Sequence, residues 1–266
     1  MGNGSQWGSP GFNPGTLLFI TYLNDLPYGL HQGAKPVIYP DGTNVLLMAK
    51  NDEELKKKIN CRLDYMTGWF SVNGLALNME KTNIMKFTSS YHQNEAFQLI
   101  YQKKIITGIN NTKFLRLELD KNISWKNHVQ KIKPKLSSVC YLIRRMNPCC
   151  NSNTIKTIYF AYFHTVMEYG ITFWGVSVES ERIFQQQKRI ITTMTESTSR
   201  ISRRTLFRKL EIMTLTSQYI LSSMRLLSSN LHILTFNTSV HNINTILKLK
   251  LHKPTARLKM QTIITA

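Results

Sequence analysis

Acidic side chains are scarce in this sequence: 15 Asp+Glu stand against 34 Lys+Arg in 266 residues, a formal charge of +19. Cysteine is scarcer still. The four, Cys61, Cys140, Cys149 and Cys150, form no CxxC pair and no Cys/His zinc spacing, and an adjacent pair is a poor start for a disulfide framework. A disulfide scaffold and a zinc module are therefore not expected, whereas a reduced, intracellular protein is. Long apolar runs are also missing. Leu17-Leu18-Phe19-Ile20 and Val45-Leu46-Leu47-Met48 fall far below the roughly 20 residues that span a bilayer, so no membrane partner is expected. Met1-Gly2 opens like a myristoylation signal but has Gln6 where Ser or Thr is required, and no charged-then-apolar leader follows. No tight basic cluster resembles a nuclear signal, which leaves nucleus and cytoplasm open.

What is present is globular. At 42% hydrophobic and 10% aromatic, the chain can build one large core or two small ones. Its charge is uneven: residues 1–130 carry 14 basic and 10 acidic side chains, whereas residues 131–266 carry 20 and 5, a net +15. A polycationic half calls for an acidic partner, in the first place nucleic acid; a merely solvated basic surface is the plainer alternative.

Hydrophobic periodicity divides the chain in the same way. Pro14 precedes Leu17, Leu18, Tyr22, Leu23 and Leu26 at helical spacing, a short helix ending near Pro27. Val37-Ile38-Tyr39 and Val45 to Met48 flank Pro40-Asp41-Gly42, a hairpin signal. Asn51 or Asp52 can cap a helix bearing Glu53 and Glu54 in its first turn and Leu55, Ile59, Leu63, Met66 and Phe70 on one face, ended by Asn73-Gly74. Short β segments are expected at Ala76 to Leu77, Asn83 to Phe87, Phe97 to Tyr101 and Phe114 to Leu119. From Trp125 onward the pattern is helical: a stripe from Val129 to Met146 interrupted by Pro134, a second from Ile155 to Met167, then Arg182 to Met194, Thr205 to Leu210 and Gln218 to Leu227. Tyr159, Tyr162, Phe163, Trp69 and Trp174 fit core positions better than base-stacking platforms. The expected class is α+β.

Several strings carry a resemblance when taken in order. They are Leu17 to Pro27, Tyr39-Pro40-Asp41-Gly42-Thr43-Asn44, Trp69-Phe70-Ser71-Val72-Asn73-Gly74-Leu75-Ala76-Leu77-Asn78 with Lys81-Thr82, and Phe114-Leu115 with Trp125 and His128. Ala161 to His164, Tyr169-Gly170-Ile171, Phe173-Trp174-Gly175, Gln187-Lys188-Arg189, Leu206-Phe207, Lys209-Leu210-Glu211 and His241 to Asn244 continue them. Together they resemble the reverse transcriptase of non-LTR, jockey-like retrotransposons of insects over nearly the whole chain. The resemblance implies an incomplete polymerase palm over residues 1–125, a helical thumb-like region over 126–230 and a basic, loosely ordered tail over 231–266.

The family copies RNA into DNA with two Mg²⁺ ions held by carboxylates roughly 3.5 to 4 Å apart. One aspartate comes from an upstream palm strand and an adjacent pair from the hairpin tip. Here the tip offers only Asp41 as a catalytic and metal-binding residue, because Gly42 stands in the second position and the upstream strand would lie before residue 1. Asp25 belongs to a segment that binds no metal in the family. Pro10-Gly11-Phe12 keeps little of a Gln-Gly-Ser that positions template and nucleotide. Lys81 matches a lysine that protonates the departing pyrophosphate, and Phe114-Leu115 match the primer grip, with Arg116 in place of a glycine. In the thumb-like part, Lys131, Lys133, Lys135, Arg144, Arg145, Lys188, Arg189, Arg203, Arg204, Arg208 and Lys209 are candidates for sequence-independent phosphate contact. The expectation is a truncated polymerase without catalysis, its Mg²⁺ not held productively, whose partners are RNA and DNA of primer and template. A basic nucleic-acid-binding module without chemistry and a relic without a role, prone to aggregate through exposed edges, are the alternatives.

Overall fold

In a computed structural model of the protein, residues 14–30, 34–39, 42–87, 97–196, 201–231 and 260–265 are described. The fold is α+β. The chain divides into two compact units, one of residues 1–112 with 257–266 and one of residues 113–256.

In the first unit, α1 (Pro14–Tyr22) ends before Asp25 and a separate α2 (Leu26–Leu30) carries Pro27, so the expected single helix is two. Pro27 sits where a helix tolerates it, in the first turn. β1 (Ala34–Tyr39) and β2 (Gly42–Ala49) form the expected hairpin, with Tyr39 paired to Gly42. The helix α3 (Asp52–Val72) begins at Asn51, whose side chain accepts the Glu54 N–H, and its three acidic first-turn residues complement the helix dipole. Leu55, Ile59, Leu63, Met66 and Phe70 bury one face against Val45, Leu47 and Ile84. Trp69 is half-buried; its Nε1 donates to the Asp25 carboxylate at 3.3 Å, and Tyr22 and Phe70 meet it edge-on.

After α3 the segment Ala76 to Leu77 forms no strand, and β3 (Asn83–Phe87) follows. The order in the main sheet is β1-β2-β8-β3, where β8 (Met260–Thr265) is the last element of the chain. Six residues of the expected loose tail are thus a central strand, antiparallel to both neighbours. β4 (Gln98–Tyr101) and β5 (Lys104–Thr107) make a second hairpin through Gln102 and Lys103, both at positive φ.

The division between units falls inside β6 (Asn111–Phe114), not at residue 125. β6 and β7 (Leu117–Asp120) form a hairpin, and the β7 residue Leu117 joins the helical core. The buried Asp120 carboxylate then ties down the next loop by accepting the N–H groups of Asn122, Ser124 and Trp125. That places Trp125, at φ 64, at the start of α4 (Lys126–Met146), which runs through Pro134 as one element. A 3₁₀ turn (Asn147–Cys149) leads to α5 (Ser152–Ile158), a π-helical stretch (Tyr159–His164), α6 (Thr165–Glu168) and α7 (Ile171–Trp174). α8 (Ser180–Met194), α9 (Arg203–Leu210) and α10 (Leu215–Ser229) complete the unit. Tyr159, Phe163 and Trp174 are fully buried in its core, with the Tyr159 and Phe163 rings stacked at 5.3 Å, while Tyr162 is exposed. Among the described residues no helix is long and apolar enough to cross a membrane.

Candidate nucleic-acid interface

The stripe that buries Ile183, Ile190, Ile191 and Met194 of α8 also buries Gln187, completely. An amide at a core position must satisfy both of its ends. Gln187 Nε2 donates to the Met213 carbonyl oxygen at 2.9 Å and to the Tyr159 hydroxyl at 3.0 Å, and Oε1 accepts the Leu215 N–H at 2.9 Å. The side chain thereby fastens the α9 to α10 connection onto α8.

That connection reverses direction at Glu211, which adopts φ 55 and donates its N–H back to α9. Thr214 then caps α10 by accepting the Ser217 N–H. On α9, Leu206, Phe207 and Leu210 face the core, leaving Arg203, Arg204, Arg208 and Lys209 exposed.

Between α8, α9 and the start of α10 lies a cavity of about 460 Å³. Phe184 and Phe207 contribute its aromatic part, with ring centroids 6.4 Å apart and planes inclined by 39°. Lys188, Arg203, Arg204 and Arg208 also line it. Lys188 Nζ stands 3.9 Å from the Phe184 ring centroid and 3.3 Å from a Glu181 carboxylate oxygen. None of the three guanidinium groups has a carboxylate partner among the described residues. Glu211 is the lining carboxylate, 84% exposed and 3.5 Å from Lys156.

The structure therefore gathers Lys188, Arg203, Arg204 and Arg208 around one cavity and leaves the other basic candidates elsewhere. On α4, Lys131 is ion-paired with Glu118, while Lys133 and Lys135 are exposed. Arg144 and Arg145 are exposed in the last turn of that helix, where they complement its dipole. Arg144 and the exposed Arg189 both act on the Cys140 thiol, which burial nevertheless pushes up to about 11. These residues lie on α4 and α8 and do not line the cavity.

Phe114 and Leu115 end β6 and open its turn. Leu115 (φ 45) and Arg116 (φ 65) are both left-handed, the geometry of a two-residue hairpin that favours Asn-Gly. The Arg116 position thus asks for the glycine it lacks. The Tyr169 hydroxyl donates to the Leu115 carbonyl at 2.6 Å and pins the tip to the loop before α7. In the first unit, Lys81 is exposed in a turn held by Asn78, whose side-chain and backbone oxygens both accept the Lys81 N–H at 3.2 Å. Asp41 lies outside the described residues, as do Pro10-Gly11-Phe12 and His241 to Asn244.

His128 is a residue that periodicity did not single out. It is 3% exposed between Trp125 and Trp174; Nδ1 accepts the Glu118 N–H at 3.4 Å, and Nε2 has no hydrogen-bond partner among the described residues. Burial holds its pKa below the usual histidine value. Gln187 was legible only as part of a string, because a glutamine on a helical stripe reads as an interruption of the apolar face.

Among the described residues no group of three or more His, Cys, Asp or Glu is placed to hold a metal ion. Compared with known proteins, the chain matches no family model, no curated protein and no solved structure.

Proposed function

We propose that this chain is a catalytically inactive descendant of a non-LTR retrotransposon reverse transcriptase whose helical unit still grips nucleic acid. The observation that carries the reading is the gathering of Lys188, Arg203, Arg204 and Arg208 around one cavity, in the half of the sequence with net charge +15. The guanidinium groups of Arg203, Arg204 and Arg208, which no carboxylate neutralises among the described residues, are free to replace the counterions of a phosphate backbone, and that exchange is the main source of sequence-independent affinity.

The donor set does not fit a pair of Mg²⁺ ions. Gly42 has no side chain, and its described neighbours Tyr39, Thr43 and Asn44 offer no carboxylate. One aspartate alone cannot bridge two dications, so no catalytic step is assigned to this chain.

A labelled primer/template duplex, titrated at low and moderate salt with Mg²⁺ and nucleotides present, tests both halves of the proposal. Binding without extension is expected, with log affinity falling linearly in log salt by about 0.9 for each phosphate engaged. Extension would overturn the inactive reading; absence of binding by folded protein would overturn the grip.

A further inference from the structure

A duplex keeps its base faces stacked inside and presents phosphates and groove edges, so it engages exposed cations but has no free base face to set into an apolar cavity. The cavity between α8, α9 and α10 combines both surfaces: two phenylalanine rings within it and four cations around them. Its volume of about 460 Å³ falls in the range of roughly 300 to 1,000 Å³ typical of small-molecule sites.

We propose that this cavity seats one unpaired nucleotide of a single-stranded nucleic acid, its base against Phe184 and Phe207 and its phosphates on Arg203, Arg204 and Arg208. The inference rests on the nucleic-acid grip proposed above and specifies the form of strand that is gripped.

Lys188 shows how the site is kept in order. Its ammonium covers the Phe184 ring at 3.9 Å and is held by Glu181 at 3.3 Å. An entering base takes the ring face and its phosphate takes the ammonium, so both contacts given up are replaced by contacts of the same kind. The guanidinium groups of α9 have no such internal partner among the described residues, and each offers a fork suited to phosphate oxygens. Glu211 at the rim opposes an anion, which tunes the site rather than blocking it, since this carboxylate is 84% exposed. An acidic peptide would satisfy the cations but leave the rings uncovered. The aromatic part of the cavity therefore favours a nucleotide.

The test uses the full chain and fluorescence anisotropy. Three probes of equal charge are compared: a short oligothymidylate, the same strand with abasic sites, and a duplex. The oligothymidylate should bind about tenfold more tightly than the abasic strand, the value of one stacked base. Phe184→Leu keeps an apolar side chain but removes the ring; it should erase that difference. Glu211→Gln touches only an exposed side chain and should tighten the oligothymidylate several-fold, so it reports even if the Phe184 variant fails to fold. Equal binding of thymidylate and abasic strands would overturn the cavity proposal and leave the grip intact. No binding of any probe would overturn the grip itself. Equal competition by a poly-glutamate peptide of the same charge would assign the cavity to acidic protein instead and overturn the nucleotide reading.

Discussion

The Gln187 side-chain amide donates to the Met213 carbonyl oxygen at 2.9 Å, while its oxygen takes the N–H of Leu215 on the far side of Thr214. One fully buried side chain thus holds both ends of the turn into α10 and, with it, one wall of the basic cavity. Gln187→Leu preserves volume but strands a part-buried carbonyl, a buried N–H and the buried Tyr159 hydroxyl. Each unsatisfied group costs on the order of 1 to 3 kcal/mol, so a loss of about 3 kcal/mol or more is expected in urea unfolding. A loss below about 1 kcal/mol would mean that the clamp is not needed.

The two-residue turn at Leu115-Arg116 yields a prediction of opposite sign. A non-glycine residue in the left-handed region costs roughly 1 to 2 kcal/mol, and Arg116 holds φ 65 without the glycine that its turn favours. Arg116→Gly should therefore stabilise the protein by about 1 kcal/mol, the gain being reduced by the entropy of a more flexible unfolded chain. An unchanged or lowered denaturation midpoint would refute this. Lys103→Gly tests the same argument independently, since Lys103 holds φ 64 in the β4 to β5 turn.

Such turns explain where the sequence misled. Phe114 to Leu119 reads as one apolar strand because neither Gly, Asn nor Asp marks the reversal at Leu115-Arg116, and the strand β5 was overlooked for the same reason at Gln102-Lys103. Elements with strong local signals were legible. Asn51 and the acidic first turn fixed the start of α3, and the stripes of α4 and α8 lie within a few residues of where their periodicity places them. The basic candidates were legible as a set, but which of them share a cavity depends on the turn at Glu211, whose left-handed φ no residue type announces.

A buried histidine, His128, and a half-buried one, His164, make the helical unit sensitive to acid. Burial lowers the pKa of His128 against the partial opposition of Glu118, and it lowers that of His164 against Glu168, 3.4 Å away. Lys131 and Lys135 push His128 further in the same direction. A depressed histidine pKa means that the unfolded chain binds protons first as pH falls. Stability is therefore full above the ordinary value of 6.5 and declines as pH drops below it, until the folded histidines also protonate. Urea midpoints measured between pH 8 and pH 5, on the order of the usual histidine range, should fall toward the acid end. His128→Leu should flatten the slope; a slope unchanged in this variant and in His164→Leu would assign the effect elsewhere.

The last prediction concerns β8, whose place in the sheet no local pattern reveals. The strand is short, follows a polar and basic stretch, and pairs with residues far back in the chain, so a window-based reading sees a tail. Yet Asn44 to Ala49 of β2 pair with it on one side and Asn83 to Phe87 of β3 on the other. Removing residues 260–266 would leave two facing rows of unpaired N–H and C=O groups, on strands that carry the buried Val45, Leu47, Ile84 and Met85. Open edges of this kind template pairing with a further chain. The shortened protein should self-associate in a concentration-dependent manner by light scattering, and a synthetic peptide of residues 260–266 supplied in excess should restore a monodisperse species. The peptide is the informative arm, because strand addition to a vacant slot uses main-chain hydrogen bonds and requires no covalent connection. If the shortened chain remained monodisperse with an unchanged unfolding midpoint, the central position of β8 would contribute nothing to the sheet, and β2 and β3 would be closing on each other without it.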